Sequence, residues 1–207
     1  MNGSHLAIGV AAALAAVGAL SRRGSSSRVD ANLLNQVKDE ASELSRTMQS
    51  IQVQYYGARN EDIRLYHPVA QMRFISERMK STFPDRNFST GSFRIVTMSK
   101  VDPRLVIKLN PVTNGDDNLF EAAAYRNAGP KTRACLVPVL AHSREGAWLI
   151  MEYAEPASDL VWPMGPCSRH LKALGFRDVV HKGNLTEDGR ILDYAERVRT
   201  RGSAARP

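Results

Sequence analysis

A stretch near the end of the chain, FRDVVHKGNLTEDGRILDYA at residues 176–195, concentrates side chains that bind metal ions and phosphates. Asp178, Asn184 and Asp193 offer carboxylate and amide oxygens, which are ligands that Mg²⁺ prefers in proteins. Asp193 directly follows two apolar residues, and a carboxylate at the end of a buried strand needs a cation or a hydrogen-bond donor beside it. The stretch therefore predicts phosphate or metal chemistry. An ordinary polar turn from Asp178 to Asn184 is the alternative interpretation.

Two further charged side chains lie in segments with regular structure. Lys108 falls within RLVIKLN, a β-rich run, and Glu121 falls within NLFEAAAYRNA, a run of good helix formers with Asn118 as the expected cap. A surface lysine and a solvated helical glutamate are the alternatives. The other β-rich runs are FSTGSFRIVTM, LVPVLAH and AWLIMEY. Because one helix separates these strands, the order favours an antiparallel sheet with a helix against it over a parallel doubly wound sheet.

The chain before these strands predicts two helices. Asp30 is the expected cap of the first, and apolar residues recur from Leu34 to Tyr55 at alternating steps of three and four. This stripe favours a helix packed on its own domain, and self-association through the 34–55 helix is the alternative. The segment from Gly57 to Asn60 should end it. A second helix should begin near Pro68, with a buried face that contains Met72, Ile75 and Met79.

Composition leaves several functional classes open. The chain has 207 residues and a net charge of +7, which suits one domain with extensions that attract phosphates or acidic lipids. Nucleic-acid binding rests on this charge alone and ranks low, because no aromatic residues alternate with the basic ones. Cys135 and Cys167 lack the spacing of a metal site and do not predict a disulfide framework, so we expect core or loop thiols.

Residues 6–20, LAIGVAAALAAVGAL, form an uncharged run followed by two arginines. The run is shorter than the roughly 20 residues that cross a bilayer. Its charge order favours a weak membrane anchor with the arginines on the cytoplasmic side, whereas a processed leader or a helix packed in a larger assembly are the alternatives. We therefore expect a membrane-associated or virion protein, and otherwise a cytoplasmic one.

The ordered motifs between Phe88 and Ala195 resemble the protein-kinase-like fold. FSTGSFRIV is similar to a reduced glycine-rich hairpin that keeps Gly91 and Ser92. The Val-Ile-Lys that ends at Lys108 resembles the third-strand kinase motif, and the resemblance makes Glu121 its partner on the helix. LIMEYAEP resembles the strand and hinge that bind adenine through the backbone, which here implies Glu152, Tyr153 and Ala154.

The C-terminal motifs extend the resemblance. HKGNL is similar to the H-x-G-N element of aminoglycoside-phosphotransferase-like kinases and of small kinase-like proteins of bacteriophages, and DGRILDYA resembles the hairpin that ends in a metal-binding Asp. The resemblance implies that Asn184 and Asp193 hold Mg²⁺ and that Asp178 is the candidate catalytic base, with Asp178 or His181 near the acceptor. It also implies that Lys108 and Glu121 orient the phosphates of ATP.

Two departures from the family pattern bear on activity. Asp178 and Asn184 are six positions apart, one more than in the family, and few residues follow Asp193. We therefore predict an α+β fold: a kinase-like N-terminal lobe with a much reduced C-terminal lobe, preceded by helices. The predicted segments are an anchor or leader with a linker (1–29), a helical preface (30–83), a minimal kinase-like domain (84–195) and a basic tail (196–207).

Two functions follow from the resemblance. The first is binding of Mg-ATP with transfer of a phosphoryl group to an unknown acceptor. The second is that of a catalytically inactive pseudokinase, which acts as a membrane-associated or virion structural protein. Lys108, Glu121, Asn184 and Asp193 together favour nucleotide binding, because a purely structural scaffold has no physical need for all four.

Overall fold

The structure is a computed structural model, and it describes residues 29–59, 68–91, 94–111, 116–157, 166–175 and 184–194. The apolar run at 6–20, Ser92, Asp178, His181 and the basic tail lie outside these residues. The elements, in chain order, are α1 (Ala31–Arg59), α2 (Pro68–Thr82), β1 (Phe88–Thr90), β2 (Ile95–Met98), β3 (Leu105–Leu109), α3 (Asp116–Asn127), α4 (Pro130–Arg133), β4 (Val139–His142), β5 (Trp148–Glu152) and α5 (Pro166–Ala173). None of the described helices is long and apolar enough to cross a bilayer.

Local signals explain where the first two helices begin. The Asp30 carboxylate accepts a hydrogen bond of 2.7 Å from the Asn32 backbone N–H, which confirms the predicted cap of α1. Helix α2 begins at Pro68, as predicted, because proline suits a first helical turn. Helix α1 continues past Gly57, which nothing crowds, and ends at Arg59, within the segment from Gly57 to Asn60 where the sequence predicts its end. A single glycine near an exposed helix end costs too little to stop the helix.

The apolar stripes of α1 and α2 pack on the sheet. The predicted residues from Val37 to Tyr55 are buried, as are Met72, Ile75 and Met79. Most of them belong to one hydrophobic cluster that also contains Ile95, Leu105, Ile107, Leu109 and Ile150 of the sheet. The helical preface and the sheet therefore share one core, and self-association through the 34–55 stripe would require the stripe to leave it.

The sheet is antiparallel throughout, with five strands in the order β1-β2-β3-β5-β4. This arrangement confirms the predicted α+β class and the antiparallel sheet. All five residues of the central strand β3 are buried, so both faces of the sheet are covered there. One face packs on α1 and α2. On the other face, Leu149 and Met151 join a second cluster with Ala122 of α3 and Leu185 and Ile191 near the C-terminus.

The last described segment, residues 184–194, forms a tight turn that docks beside the sheet. Leu185 pairs with Ile191, and the Thr186 N–H donates to the Arg190 carbonyl at 2.9 Å. Ile191 then anchors the segment: its N–H donates to the Cys135 carbonyl at 2.9 Å, and its carbonyl accepts from the Val137 N–H at 3.0 Å. We call residues 184–194 the C-terminal hairpin.

The structure corrects the expectation for the cysteines. Cys135 and Cys167 form a disulfide with Cα atoms 5.2 Å apart. The Thr132 hydroxyl and the His170 ring lie 3.0 Å apart and join α4 to α5. The sequence separation of 32 does not predict this bond, because only the packing of α5 against α4 brings the thiols together.

The disulfide gives a first prediction. We expect replacement of both cysteines by serine to lower the free energy of unfolding by about 2–4 kcal/mol, because the bond restricts the unfolded chain over a long loop. Urea denaturation of the oxidised protein, with and without dithiothreitol, measures the effect. The double serine variant is the control and should not respond to the reductant. Equal stability of the oxidised and reduced parent would contradict the prediction.

Candidate functional site

The side chains of β3 alternate between the two faces of the sheet, and this alternation places Lys108 on the face opposite α1 and α2. Leu105, Ile107 and Leu109 point into the core under α1 and α2, so Lys108 points the opposite way. Its Nζ atom lies 2.8 Å and 3.1 Å from the two carboxylate oxygens of Glu121, and it donates to the Leu192 carbonyl at 2.9 Å. Three chain segments, β3, α3 and the C-terminal hairpin, therefore meet at this ammonium group.

Glu121 owes its position to the start of α3. The Asn118 amide donates to the backbone carbonyls of Lys108 at 3.2 Å and Gly146 at 2.9 Å, which ties the first turn of α3 to the sheet. The prediction that Asn118 caps the helix was wrong: α3 begins at Asp116, and the amide makes tertiary bonds instead. Glu121 follows three residues later on the same helix face and is fully buried.

Arg94 is the member of the site that sequence reasoning missed. Its Nη1 atom donates to Glu121 Oε2 at 2.6 Å, and its Nη2 atom donates to the Asp193 carboxylate. The signal that could have found it is strand alternation. Val96 pairs directly with Lys108, and Arg94 lies two residues before Val96, so Arg94 and Lys108 belong to one face.

Ion pairs link four side chains of alternating charge in the order Lys108, Glu121, Arg94 and Asp193. We call it the charge cluster. Burial opposes the charged form of Arg94, but the carboxylates of Asp193 and Glu121 outweigh that effect and hold the pKa of Arg94 above its ordinary value. Burial, together with the negative charge of Glu121, also raises the pKa of the neighbouring Tyr194 phenol, which donates to the Val137 carbonyl. The cluster is therefore neutral as a whole.

Asn184 and Asp193, the predicted metal ligands, lie at the open end of the C-terminal hairpin. The Leu192 N–H donates to the Asn184 carbonyl at 2.8 Å, so Asp193 is the residue next to that pair. The described residues contain no group of three or more His, Cys, Asp and Glu side chains that could hold a metal ion. Asp193 is already bonded to the Arg94 guanidinium. With Arg94 in this position, the donor set does not fit a divalent cation.

The predicted nucleotide-binding residues that the structure describes at the backbone lie in two places. Gly91 directly follows β1, and Glu152, Tyr153 and Ala154 lie at the end of β5 and just after it. The Gly91 N–H donates to the Arg94 carbonyl at 2.8 Å, and a Cβ at Gly91 would lie 3.7 Å from that oxygen, an ordinary contact. The backbone there does not require glycine. At the hinge, the N–H groups of Glu152 and Tyr153 donate to the carbonyls of Pro138 and Arg104. A base would therefore have to use other backbone groups, such as those of Ala154.

Comparisons of this chain with protein-family models, with curated proteins and with solved structures find no match. The site is therefore interpreted from its own geometry.

Burial predicts unequal roles for the two carboxylates of the charge cluster. We expect Glu121→Gln to destabilise the protein by about 3–5 kcal/mol, because it leaves a buried lysine and a buried arginine with too little negative charge. Asp193→Asn should cost about 1 kcal/mol or less, because the Asp193 side chain is 41% exposed and Arg94 keeps Glu121. Urea denaturation of both variants measures the difference. Equal costs would show that the two carboxylates are equivalent and would contradict this account.

Gly189 shapes the hairpin that presents Asp193. Its φ of 81° lies in the left-handed region, in the turn closed by the bond from the Gly189 N–H to the Thr186 carbonyl. We expect Gly189→Ala to destabilise the protein by about 1 kcal/mol or more, because a side chain is strained in this conformation. Gly129→Ala is the matched control, since Gly129 has an ordinary φ of −66° and open space around it. Thermal unfolding should separate the two variants, and equal effects would contradict the prediction.

Proposed function

We propose that this chain is a kinase-like protein that binds ATP at the charge cluster. The observation that carries the proposal is the buried ion pair between Lys108 and Glu121, with its bond to the Leu192 carbonyl directly before Asp193. The kinase resemblance selected these positions by motif alone. In the structure, Lys108 contacts residues that are 13 and 84 positions away in the chain.

The energetics of buried charges support a functional role for this pair. Removing a lysine and a glutamate from water costs several kcal/mol per ion, and apolar residues of similar size would often stabilise a fold as well or better. A fold that needs only a packed interior gains little from such a pair. In the proposal, the ammonium group of Lys108, whose three donors bond to Glu121 and to the Leu192 carbonyl, exchanges one of these bonds for a phosphate oxygen.

The proposal puts the base beside Lys108, on the segment that follows β5. Strand β5 pairs with β3 so that Leu149 lies opposite Lys108, and the segment after β5 leads to Tyr153 and Ala154. Ala154 is buried in the second hydrophobic cluster, which supplies apolar surroundings for an adenine ring. In this proposal the base lies against Ala154 and the phosphates extend toward Lys108.

Phosphoryl transfer with Mg²⁺ is the second candidate function, and it requires Arg94 to release Asp193. It would use Asp178 as the base and Asn184 and Asp193 as metal ligands, as the kinase resemblance implies. Asp178 and His181 lie outside the described residues. The bond between Arg94 and Asp193 favours nucleotide binding without efficient transfer, which is the behaviour of a pseudokinase. Membrane contact through residues 6–20 and a role in a virion are compatible with either function.

Calorimetric titration of ATP into the full-length chain tests the proposal. Saturable binding is expected, both with Mg²⁺ and with EDTA as separate arms. Lys108→Ala should weaken binding about tenfold or more, because a charge-assisted hydrogen bond to phosphate contributes about 1.5–3 kcal/mol.

Lys100→Ala is the matched control, because Lys100 pairs with Asp85 on the surface, away from the charge cluster. It should bind like the parent. The proposal is wrong if the folded parent does not bind at millimolar ATP in either arm, or if Lys108→Ala binds as tightly as Lys100→Ala. Transfer of phosphate from labelled ATP to the chain itself, measured in the same samples, tests the second candidate.

A further inference from the structure

We propose that Arg94 takes the place of a divalent cation at Asp193, so that the charge cluster binds the phosphates of a nucleotide without metal. This inference rests on the proposed function and specifies the chemical form of the ligand: the free nucleoside triphosphate instead of its magnesium complex.

Arg94 already bonds to both carboxylates of the cluster. One of its terminal nitrogens donates to Glu121 and the other to Asp193. Magnesium bound through a protein needs carboxylate oxygens whose negative charge is not already balanced. A cation at Asp193 would lie beside a guanidinium that cannot lose its proton, and the two positive charges would repel each other.

The Arg94 guanidinium is also suited to bind phosphate, as a metal cation would. It is planar, it carries five N–H donors, and it binds phosphate through paired hydrogen bonds. The two carboxylate bonds fix its orientation but use only two of those donors. Its side chain is buried and its charge is shared between two carboxylates, so a phosphate oxygen would compete for the guanidinium with Asp193, the more exposed of the two.

The net charge of the cluster makes the inference testable. With two cations and two anions the cluster is neutral. Arg94→Gln makes it negative, which favours a divalent cation and disfavours a free triphosphate. Asp193→Asn makes it positive, which favours a free triphosphate. A magnesium site at Asp193 predicts the opposite result for Asp193→Asn, since that change removes a metal ligand.

The experiment is calorimetric titration of ATP into the full-length parent and its variants, once in EDTA and once in millimolar Mg²⁺. The parent should bind in EDTA within about threefold of its affinity in Mg²⁺, a difference of less than 1 kcal/mol. Asp193→Asn should bind in EDTA at least as tightly as the parent. Arg94→Gln should lose about tenfold in EDTA and recover part of that loss in Mg²⁺, because the cation then balances the exposed carboxylate.

Arg190→Gln is the matched control, because Arg190 pairs with Asp188 at 2.8 Å at the far end of the same hairpin. It should bind ATP like the parent in both arms. Thermal unfolding with Mn²⁺ and without nucleotide gives a second measurement: Arg94→Gln should be stabilised by the metal and the parent should not. If Arg94→Gln does not fold, Asp193→Asn decides the question, because its partly exposed side chain contributes little to stability.

The possible results separate this inference from the proposed function. If the parent binds ATP only with Mg²⁺ and Asp193→Asn abolishes binding, Arg94 does not replace the metal, although the chain does bind nucleotide. If the folded parent binds in neither arm, the proposed function and this inference both fail. If Asp193→Asn binds free ATP and Arg94→Gln requires metal, the inference holds.

Discussion

The full burial of the Glu121 carboxylate between two cations is the interaction on which the site depends. Lys108 reaches it from the central strand, and Arg94 reaches it from the strand beside that one. A carboxylate with no contact to water has to be neutralised where it lies, so β2, β3 and α3 must keep their relative positions for the fold to be stable. The ion pair between Asp193 and Arg94, which is partly exposed to solvent, then joins the C-terminal hairpin to these residues.

Backbone hydrogen bonds to the segment at 135–137 hold the C-terminal hairpin beside the charge cluster. Ile191 exchanges hydrogen bonds with Cys135 and Val137, and its buried side chain lies in the second core cluster. The disulfide at Cys135 joins α5 to the same short segment. Among the described residues, α5 and the C-terminal hairpin therefore share an attachment at residues 135–137, and the hairpin is also bonded to Glu155, Ala157 and the charge cluster. Because disulfides persist in oxidising compartments, the strength of this attachment depends on where the protein resides.

Sequence patterns predicted what depends on local periodicity. The cap at Asp30, the start of α2 at Pro68 and the antiparallel sheet all follow from short-range signals, and the structure confirms them. Lys108 and Glu121 were selected by motif order, and the structure brings them together. The disulfide was missed because it depends on the packing of α5 against α4. The sequence predicts a local cap at Asn118, whereas its amide bonds to residues that are adjacent only in the folded chain.

Arg94 was missed for a different reason, which bears on function. A search for kinase-like chemistry looks for glycines in the hairpin before β2, because glycines let a phosphate approach the backbone. In this chain an arginine follows Gly91 in that hairpin, and its side chain points into the site. A glycine-rich loop leaves the neutralisation of phosphate charge to lysine and to metal ions. If the chain binds a nucleotide as we propose, the buried Arg94 supplies one of those charges from the protein itself, at the Asp193 carboxylate.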